Sequence, residues 1–583
     1  MENLFEQSSD FTTMLNENKL STASLQPFDF FVKGDVSGIQ EFIFSVKSEG
    51  AAQTLKGRSY FIQALSELCL QHIRTTIVPE PMEVLYNGGG NFFFFTTKKA
   101  VDKFDEVQRT IWRDCAQEEF YLALTAVKFA SNDLQQFGEK LWKPVNAQSS
   151  ADKLTKFIWE PVTDQPSENK KTISYHSAFN SFAQHLDSNV EEGQAGEQKW
   201  QDFTRKFIDA EGCKLIANPG KHLGVRRDGV DGFDTSLYFG EGQQFKSGIV
   251  NKLPRWDTGG ALRTRYSRAI DRYLEQNPTS MKPTPRSIIE FGHMAAFASS
   301  RTGTEKLAVL KMDVDNLGSL FEGRQQIAEL QAISKSLGWF FNQFMKTMWD
   351  SQFTHHPEEE GSATQSAYKD NLYIVFSGGD DCFVVGAWDA VFEFAKTVQA
   401  EFASFEKALK NRLSGLPNLT LSASLTVIDS KFPVVRFAEM AEDALKDAKH
   451  FSAGKNRISV FGQVLRWEEF IEAEKLAKQL RQLILKAENA EPRAILERIK
   501  KSGHLFEKME RRVHSNKLAS VWRLFYYLRN VKEANRDEIE KIVTNYSRAL
   551  VKSFGVTAKT STKSTAHLIY PVAARWAEFL TRV

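Results

Sequence analysis

Apolar and polar positions along the chain form a series of runs that occurs twice. In the first series, FDFFVKGDVSGIQEFIFSV (28–46) predicts an apolar strand ending at Gly34 and Asp35, followed by an amphipathic helix. A longer helix follows over about 53–77, with Phe61, Leu65, Leu68 and His72 on one stripe. MEVLYN, the turn residues Gly88, Gly89 and Gly90, and FFFFTT then predict a hairpin, a charged helix is expected near 100–119, and FYLALTAVKF (120–129) is a fourth strand.

The second series begins about 280 residues later. It has a strand over 307–315, helical periodicity over 327–349, a hairpin over 372–388, a helix over 389–411, a strand over 419–429 and a helix over 434–451. Strand, helices, hairpin, helix, strand is the ferredoxin-like βαββαβ order, so the fold class expected is α+β, built on a diverged internal duplication. The organisation predicted is a polar tail or short docking segment (1–26), a first unit with insertions (27–195), a small intervening domain (196–286), a second unit (287–462) and a helical domain (463–583).

The two hairpin tips differ in chemistry. The second reads LYIVFSGGDDCFVVG (372–386), with Gly378, Gly379, Asp380 and Asp381 between apolar strands, whereas the first carries Asn87, Gly88, Gly89, Gly90 and Asn91 without a carboxylate. Gly-Gly-Asp-Asp is also an ordinary turn composition. Upstream, however, LAVLKMDVDNLG (307–318) ends a strand in Asp313 and Asp315, which the two-residue period puts on one face. Carboxylates converging at strand ends are costly unless a cation lies among them, and such oxygen donors suit Mg²⁺ or Mn²⁺.

Composition narrows the remaining possibilities. At 583 residues the chain exceeds one core, and 42% hydrophobic with 25% charged residues is ordinary for a soluble globular protein. A net charge of +2 gives no global nucleic-acid signature, although residues 463–583 hold 24 Lys and Arg against 14 Asp and Glu, either a solvated face or one lying beside RNA phosphates. Cys69, Cys115, Cys213 and Cys382 are scattered and form no CxxC pair, which supports neither a zinc cluster nor a disulfide framework. With no signal peptide and no run of eighteen apolar residues, a cytoplasmic location without a membrane partner is expected. His355 and His356 beside Glu358, Glu359 and Glu360 are read as a solvated loop in preference to a metal site.

Several ordered motifs resemble those of a known family. They are GDVSGIQEFIFSV (34–46), LKGRSYFIQALSEL (55–68), YNGGGNFFFF (86–95), KLAVLKMDVDNLGSLF (306–321), YIVFSGGDDCFVVGAW (373–388) and RFAEMAEDALKDAKHFSAGKNRISVFG (436–462). Together they resemble the Cas-ten family, the two-Palm large subunit of type III CRISPR effector complexes, in its Csm-like branch. The last segment is also similar to the closing helix of diguanylate cyclase domains. Many members of the Cas-ten family begin with an HD nuclease domain, but this sequence contains no His-Asp dipeptide, so DNase activity is not expected. The zinc-binding cysteines of the family's intervening domain are likewise not matched.

The resemblance implies a nucleotidyltransferase that converts ATP to cyclic or linear oligoadenylate on target RNA binding, using two divalent metals. It implies Asp313 and Asp380 as metal ligands, Asp381 as a further ligand or the group activating the hydroxyl, and the carbonyl of Val314 as a further donor. Asp315 is either a ligand or a helix cap. Ser377, Gly378, Gly379, Lys449, Lys455 and Asn456 fall on nucleotide-binding positions; Lys449 taken alone reads as a solvent-facing helical lysine, and only the surrounding pattern raises it. Asp35, Ser37, Gly88, Gly89 and Gly90 are the candidates for a second, acceptor pocket, with Ser37 near a helix start that either binds phosphate or is an ordinary N-cap. The partners implied are the backbone, small helical and guide-end subunits of the complex, with guide and target RNA. The alternatives are AMP transfer to another acceptor such as S-adenosylmethionine, a non-catalytic RNA-complex scaffold, and a stand-alone diguanylate cyclase.

Overall fold

Two sheets with one strand order carry the structure. In the first, β1 (Phe30–Ser37) lies between β3 (Asn91–Thr96) and β4 (Tyr121–Lys128), with β2 (Glu83–Gly88) outside β3, giving the order β2-β3-β1-β4. The computed structural model describes all residues except 1–4, 6–10, 12–19, 22, 47–50, 109–120, 155–213, 218–222, 228–229, 232–253, 258, 286, 323–326, 351–367, 414, 453, 511–520, 555–564 and 583. In the intervening stretch, β5 (Lys214–Ala217), β6 (Leu223–Arg227) and β7 (Val230–Asp231) form a small antiparallel sheet. Cys115, Cys213, His355 and His356 lie outside the described residues.

The second sheet repeats the plan with β8 (Leu307–Val314), β9 (Leu372–Gly378), β10 (Asp381–Ala387) and β11 (Leu421–Ile428), in the order β9-β10-β8-β11. It then continues through two strands that the sequence pattern did not indicate, β12 (Arg457–Val460) and β13 (Gln463–Arg466), past the expected boundary at 462. β1 begins at Phe30 and runs to Ser37 instead of ending at Asp35, and the following helix α1 (Ile39–Phe44) takes Gly38 as its N-cap. Ser37 is therefore a strand residue and not a cap; its hydroxyl donates to the Tyr121 carbonyl at 3.3 Å.

Both sheets are covered on both faces, which is why their strands read as continuous apolar runs. Successive residues of a strand point to opposite sides. Phe31, Phe93, Phe95, Leu310, Met312 and Val384 enter one core, and Val32, Phe92, Phe94, Val309, Phe383 and Val385 the other, so the two halves share both cores. The helix α2 (Ala51–Ile77) buries Leu55, Ile62, Cys69, Ile73 and Ile77 together with the predicted His72; the side chains of Phe61, Leu65 and Leu68 are outside the described set. Phe44 on Phe383 and Trp142 on Phe321, both with ring centroids 4.6 Å apart, join one half to the other.

Each half closes with a helix packed on its last strand. In the second half this is the expected one, α8 (Val434–His450), which follows α5 (Phe291–Thr302), α6 (Ile327–Trp339) and α7 (Trp388–Arg412). Its counterpart α3 (Lys143–Leu154) lies in a stretch expected to be an insertion; α4 (Ser267–Gln276) falls between them in chain order. The segment before Phe28 is a docking segment and not a free tail: Phe5, Phe11, Leu20 and Leu25 are buried, and the Phe5 amide donates to Glu401 on α7 at 2.9 Å. C-terminal helices α9 (Trp467–Leu485), α10 (Ala494–Glu510), α11 (Arg536–Phe554) and α12 (Ile569–Leu580) extend the same core, with Trp576 of α12 against Phe392 of α7 at 4.8 Å. Among the described residues no helix is long and apolar enough to cross a membrane.

Candidate active site at the paired hairpin tips

The hairpin β9–β10 turns through Gly379 and Asp380 and lies against the end of β8. Gly379 has a φ of +68°, a left-handed conformation that glycine adopts without strain. The register sets Asp381 directly opposite Asp313. The Val314 amide donates to the Asp380 carbonyl at 2.9 Å, fixing the tip against the strand that carries Asp313. Asp313, Asp380 and Asp381 thus meet at one end of the sheet, as the sequence motifs implied.

These carboxylates repel one another inside the protein. Burial, then Asp313, pushes Asp380 up to about 7 against the opposing effect of Lys449. Asp381 is held well above the usual carboxylate range by burial and then by Asp380 and Asp313. Asp313 is also raised, by burial, although Lys449 on α8 forms an ion pair with its Oδ1. Lys449 thus places a positive charge at the site, and Lys311 adds a second that also draws Asp313 and Asp381 down.

Asp315 plays a different part from its neighbours. Its Oδ2 accepts from Thr420 Oγ1 at 2.8 Å, Ser422 Oγ at 3.0 Å and the Asn456 amide at 3.0 Å. It braces the turn after α8, where Lys455 and Asn456 both have positive φ, so its hydrogen bonds run to that turn and to Thr420 and Ser422. Asp315 Oδ1 is buried without a hydrogen-bond partner.

The donor set fits a hard divalent cation. Anionic oxygens crowded in a half-buried place, with an unpartnered carboxylate oxygen beside them, are stabilised when a cation enters. Among the described residues no three acidic, imidazole or thiol side chains already converge as a ligand cluster, and Asp313 is engaged by Lys449. A cation at Asp313 would compete with Lys449 for that carboxylate. The Ser377 hydroxyl is buried and donates to the Phe341 carbonyl at 2.6 Å, so that side chain supports the hairpin from behind.

The first hairpin faces the second tip to tip. A Cβ at Gly88 would lie 3.4 Å from the Gly379 amide nitrogen, and one at Gly89 would lie 4.0 Å from the Gly378 carbonyl oxygen. Between them stands Tyr86, which the motifs did not single out: its Oη is 2.8 Å from a Cβ built at Gly88 and 2.5 Å from one built at Gly379. Burial, then Asp380 and Asp381, pushes the phenol upward, so it remains a protonated donor beside the carboxylates. A polar aromatic residue two positions before a glycine turn was the available signal.

Of the other second-pocket candidates, Gly90 closes the first tip, its carbonyl accepting from the Val36 amide at 2.9 Å. Asp35 is buried at the equivalent strand end, where Lys33 and Lys153 hold it at 2.9 and 2.6 Å.

Comparison with known proteins matches this architecture. The family model of the Cas10/Cmr2 second palm domain matches residues 306–459, and that of Csm1 subunit domain B matches residues 29–168. The chain is 26% identical over 504 residues to a Cas10/Csm1 (subtype III-A) single-strand-specific deoxyribonuclease of Methanocaldococcus jannaschii, covering 76% of this chain and 60% of that protein. Its counterpart in Mycobacterium tuberculosis is 25% identical over 480 residues, covering 75% of this chain and 55% of that one. The chain thus spans somewhat more than half the length of these relatives. A Csm1–Csm4 cassette in complex with cA4 shares the fold with a TM-score of 0.64 at 16% identity, covering 98% of this chain and 72% of that one. A cassette in complex with pppApApA gives 0.63 at 17%, covering 95% and 70%. Two successive domain matches, in the order of the two sheets and enclosing both hairpin tips, place the chain in the Cas10/Csm1 family of type III CRISPR large subunits.

Proposed function

We propose that this chain is the nucleotidyltransferase subunit of a type III CRISPR effector complex, joining ATP into linear or cyclic oligoadenylate when target RNA is bound. The observation that carries the proposal is the meeting of Asp313, Asp380 and Asp381 beside Lys449, directly across from a second hairpin tip that has no carboxylate. One tip carries the carboxylates for the donor triphosphate, and the other, which has none, faces it as the acceptor side. Solved relatives sharing this fold hold pppApApA or cA4, which supports an adenylate product.

The reaction is attack of a ribose 3′-hydroxyl on an α-phosphate with loss of pyrophosphate. Asp313, Asp380 and Asp381, with the Val314 carbonyl, would hold Mg²⁺ or Mn²⁺, which lowers the hydroxyl pKa and neutralises charge on the attacking and leaving oxygens. Lys449, released from Asp313, supplies its ammonium to the phosphates. The Tyr86 phenol donates from the opposite tip, and Asp315 holds the turn carrying Lys455 and Asn456 in place beneath the nucleotide. The partner subunits proposed include Csm4, named with Csm1 in the solved relatives, together with guide and target RNA.

The test is ATP turnover by the assembled complex with and without target RNA, with products identified by mass spectrometry. Target-dependent oligoadenylate is expected. An Asp380→Ala, Asp381→Ala double variant should lose it by at least about a thousandfold, the scale of removing transition-state charge stabilisation. Absence of any nucleotide product with either Mg²⁺ or Mn²⁺ would overturn the reading.

A further inference from the structure

The two halves differ in how they treat one strand lysine. Lys33, Asp35 and Lys153 of the first half correspond to Lys311, Asp313 and Lys449 of the second. Asp35 faces Asn91 across β1 and β3 as Asp313 faces Asp381 across β8 and β10. The Val36 amide donates to the Gly90 carbonyl at 2.9 Å, as the Val314 amide donates to Asp380 at 2.9 Å. Lys153 on α3 pairs with Asp35 as Lys449 on α8 pairs with Asp313.

The correspondence ends at the other lysine. Lys33 Nζ lies 2.9 Å from Asp35 and also donates to Asn146 Oδ1 at 3.0 Å, so Asp35 is gripped by two ammonium groups. Lys311 occupies the same strand position two residues before its aspartate, yet it pairs with Glu442. Asn146 lies seven residues before Lys153, and Glu442 lies seven residues before Lys449. They are the same helix position, occupied by a neutral amide in one half and a carboxylate in the other. An amide oxygen shares a lysine with a nearby carboxylate, whereas a second carboxylate competes for it outright. The remaining Glu442 oxygen faces Lys446 at 3.5 Å, but that lysine side chain is half exposed, so Lys311 is the buried partner.

We propose that Glu442 is a positioning residue for the divalent-cation site: by pairing with Lys311 it leaves Lys449 as the one lysine ion-paired to Asp313, whereas Asn146 leaves Lys33 on Asp35 and closes the first half to metal. This rests on the reading that Asp313 is a metal ligand. It explains why one duplicated strand end serves as a metal site while the other is filled by the protein's own ammonium groups. The asymmetry then lies in a pair of helix residues as well as in the hairpin tips.

The test is Mn²⁺ binding to the full chain without nucleotide, read from the electron paramagnetic resonance of free Mn²⁺. Glu442→Asn, which gives the second half the first half's residue, should weaken Mn²⁺ binding roughly tenfold, within the range for supporting groups around a metal site. Adding Lys311→Met should restore affinity to within about twofold of the parent, because no lysine is then left to capture Asp313. Glu442→Gln repeats the test with the side-chain shape kept. An equal loss with and without Lys311→Met would mean that only overall negative charge matters, and would overturn the proposal, as would unchanged affinity in Glu442→Asn. Asp313→Ala separates the two levels: if it binds Mn²⁺ as the parent does, the metal reading fails and this inference with it; if it abolishes binding while Glu442→Asn is silent, only the inference fails.

Discussion

Asp380 shows how a single residue links stability to ligand binding. Burial raises its carboxyl from an ordinary 3.8 to about 7, so the folded protein holds that proton more tightly than the unfolded chain does. By linkage, the group's contribution to stability is greatest below the unfolded value and falls as pH rises through the folded one. The protein without divalent cation should therefore lose melting temperature between about pH 4 and pH 7 more steeply than an Asp380→Asn variant, which has no proton to lose. Cations compete with the same proton, so the melting-temperature gain from Mn²⁺ should be larger near pH 8 than near pH 6. Equal gains at both values would show that Asp380 is not ionised to receive the ion.

At the scale of elements, the four strands of each repeated unit were legible because they are apolar and bounded by Gly and Asp, whereas the short β12 and β13 were not; FFFF and LYIVF have few other ways to be buried. The helix α3 was not, since KPVNAQSSADKL is polar and buries only Val145 and Ser149, and its place is set by packing on β4 and β1. For the first segment docking was one of two readings, but its anchors were not legible, because Phe5, Phe11, Leu20 and Leu25 follow neither a helical nor a strand period. Yet Phe5 lies edge-on to Trp339, Phe344 and Phe405 at 5.7–6.0 Å, against the helical stretch that carries Phe341 and so supports Ser377. Phe5→Ala should cost about 3 kcal/mol of stability, as for other buried aromatic truncations. Because this packing stands behind the hairpin proposed as catalytic, ATP turnover in the assembled complex should also fall, with Phe5→Leu milder in both measurements. A Phe5→Ala protein that melts like the parent would show that the segment does not dock.

At the scale of the molecule, one sheet plan is used twice and turned tip to tip, and the proposed active site lies where the tips meet. The acidic pair and Asp313 could each be read from the apolar run that carries it; the role of Tyr86 could not, because the partner glycine that its hydroxyl approaches is 293 positions away. The close approach can be tested by adding single methyl groups. Gly88→Ala would set a Cβ 2.8 Å from Tyr86 Oη and 3.4 Å from the Gly379 amide, so it should push the tips apart and lower product formation while thermal stability changes little. Tyr86→Phe in the same chain removes the nearest atom and should recover part of that loss. Gly379→Ala meets the same oxygen at 2.5 Å but also forces a side chain to a φ of +68°, a strain of about 1–2 kcal/mol that no change at Tyr86 relieves. Rescue of the first variant but not the second, measured as oligoadenylate formed per complex, is the pattern expected of two tips held against one phenol. Rescue of neither would move the cause away from Tyr86 and into the backbone of the turn.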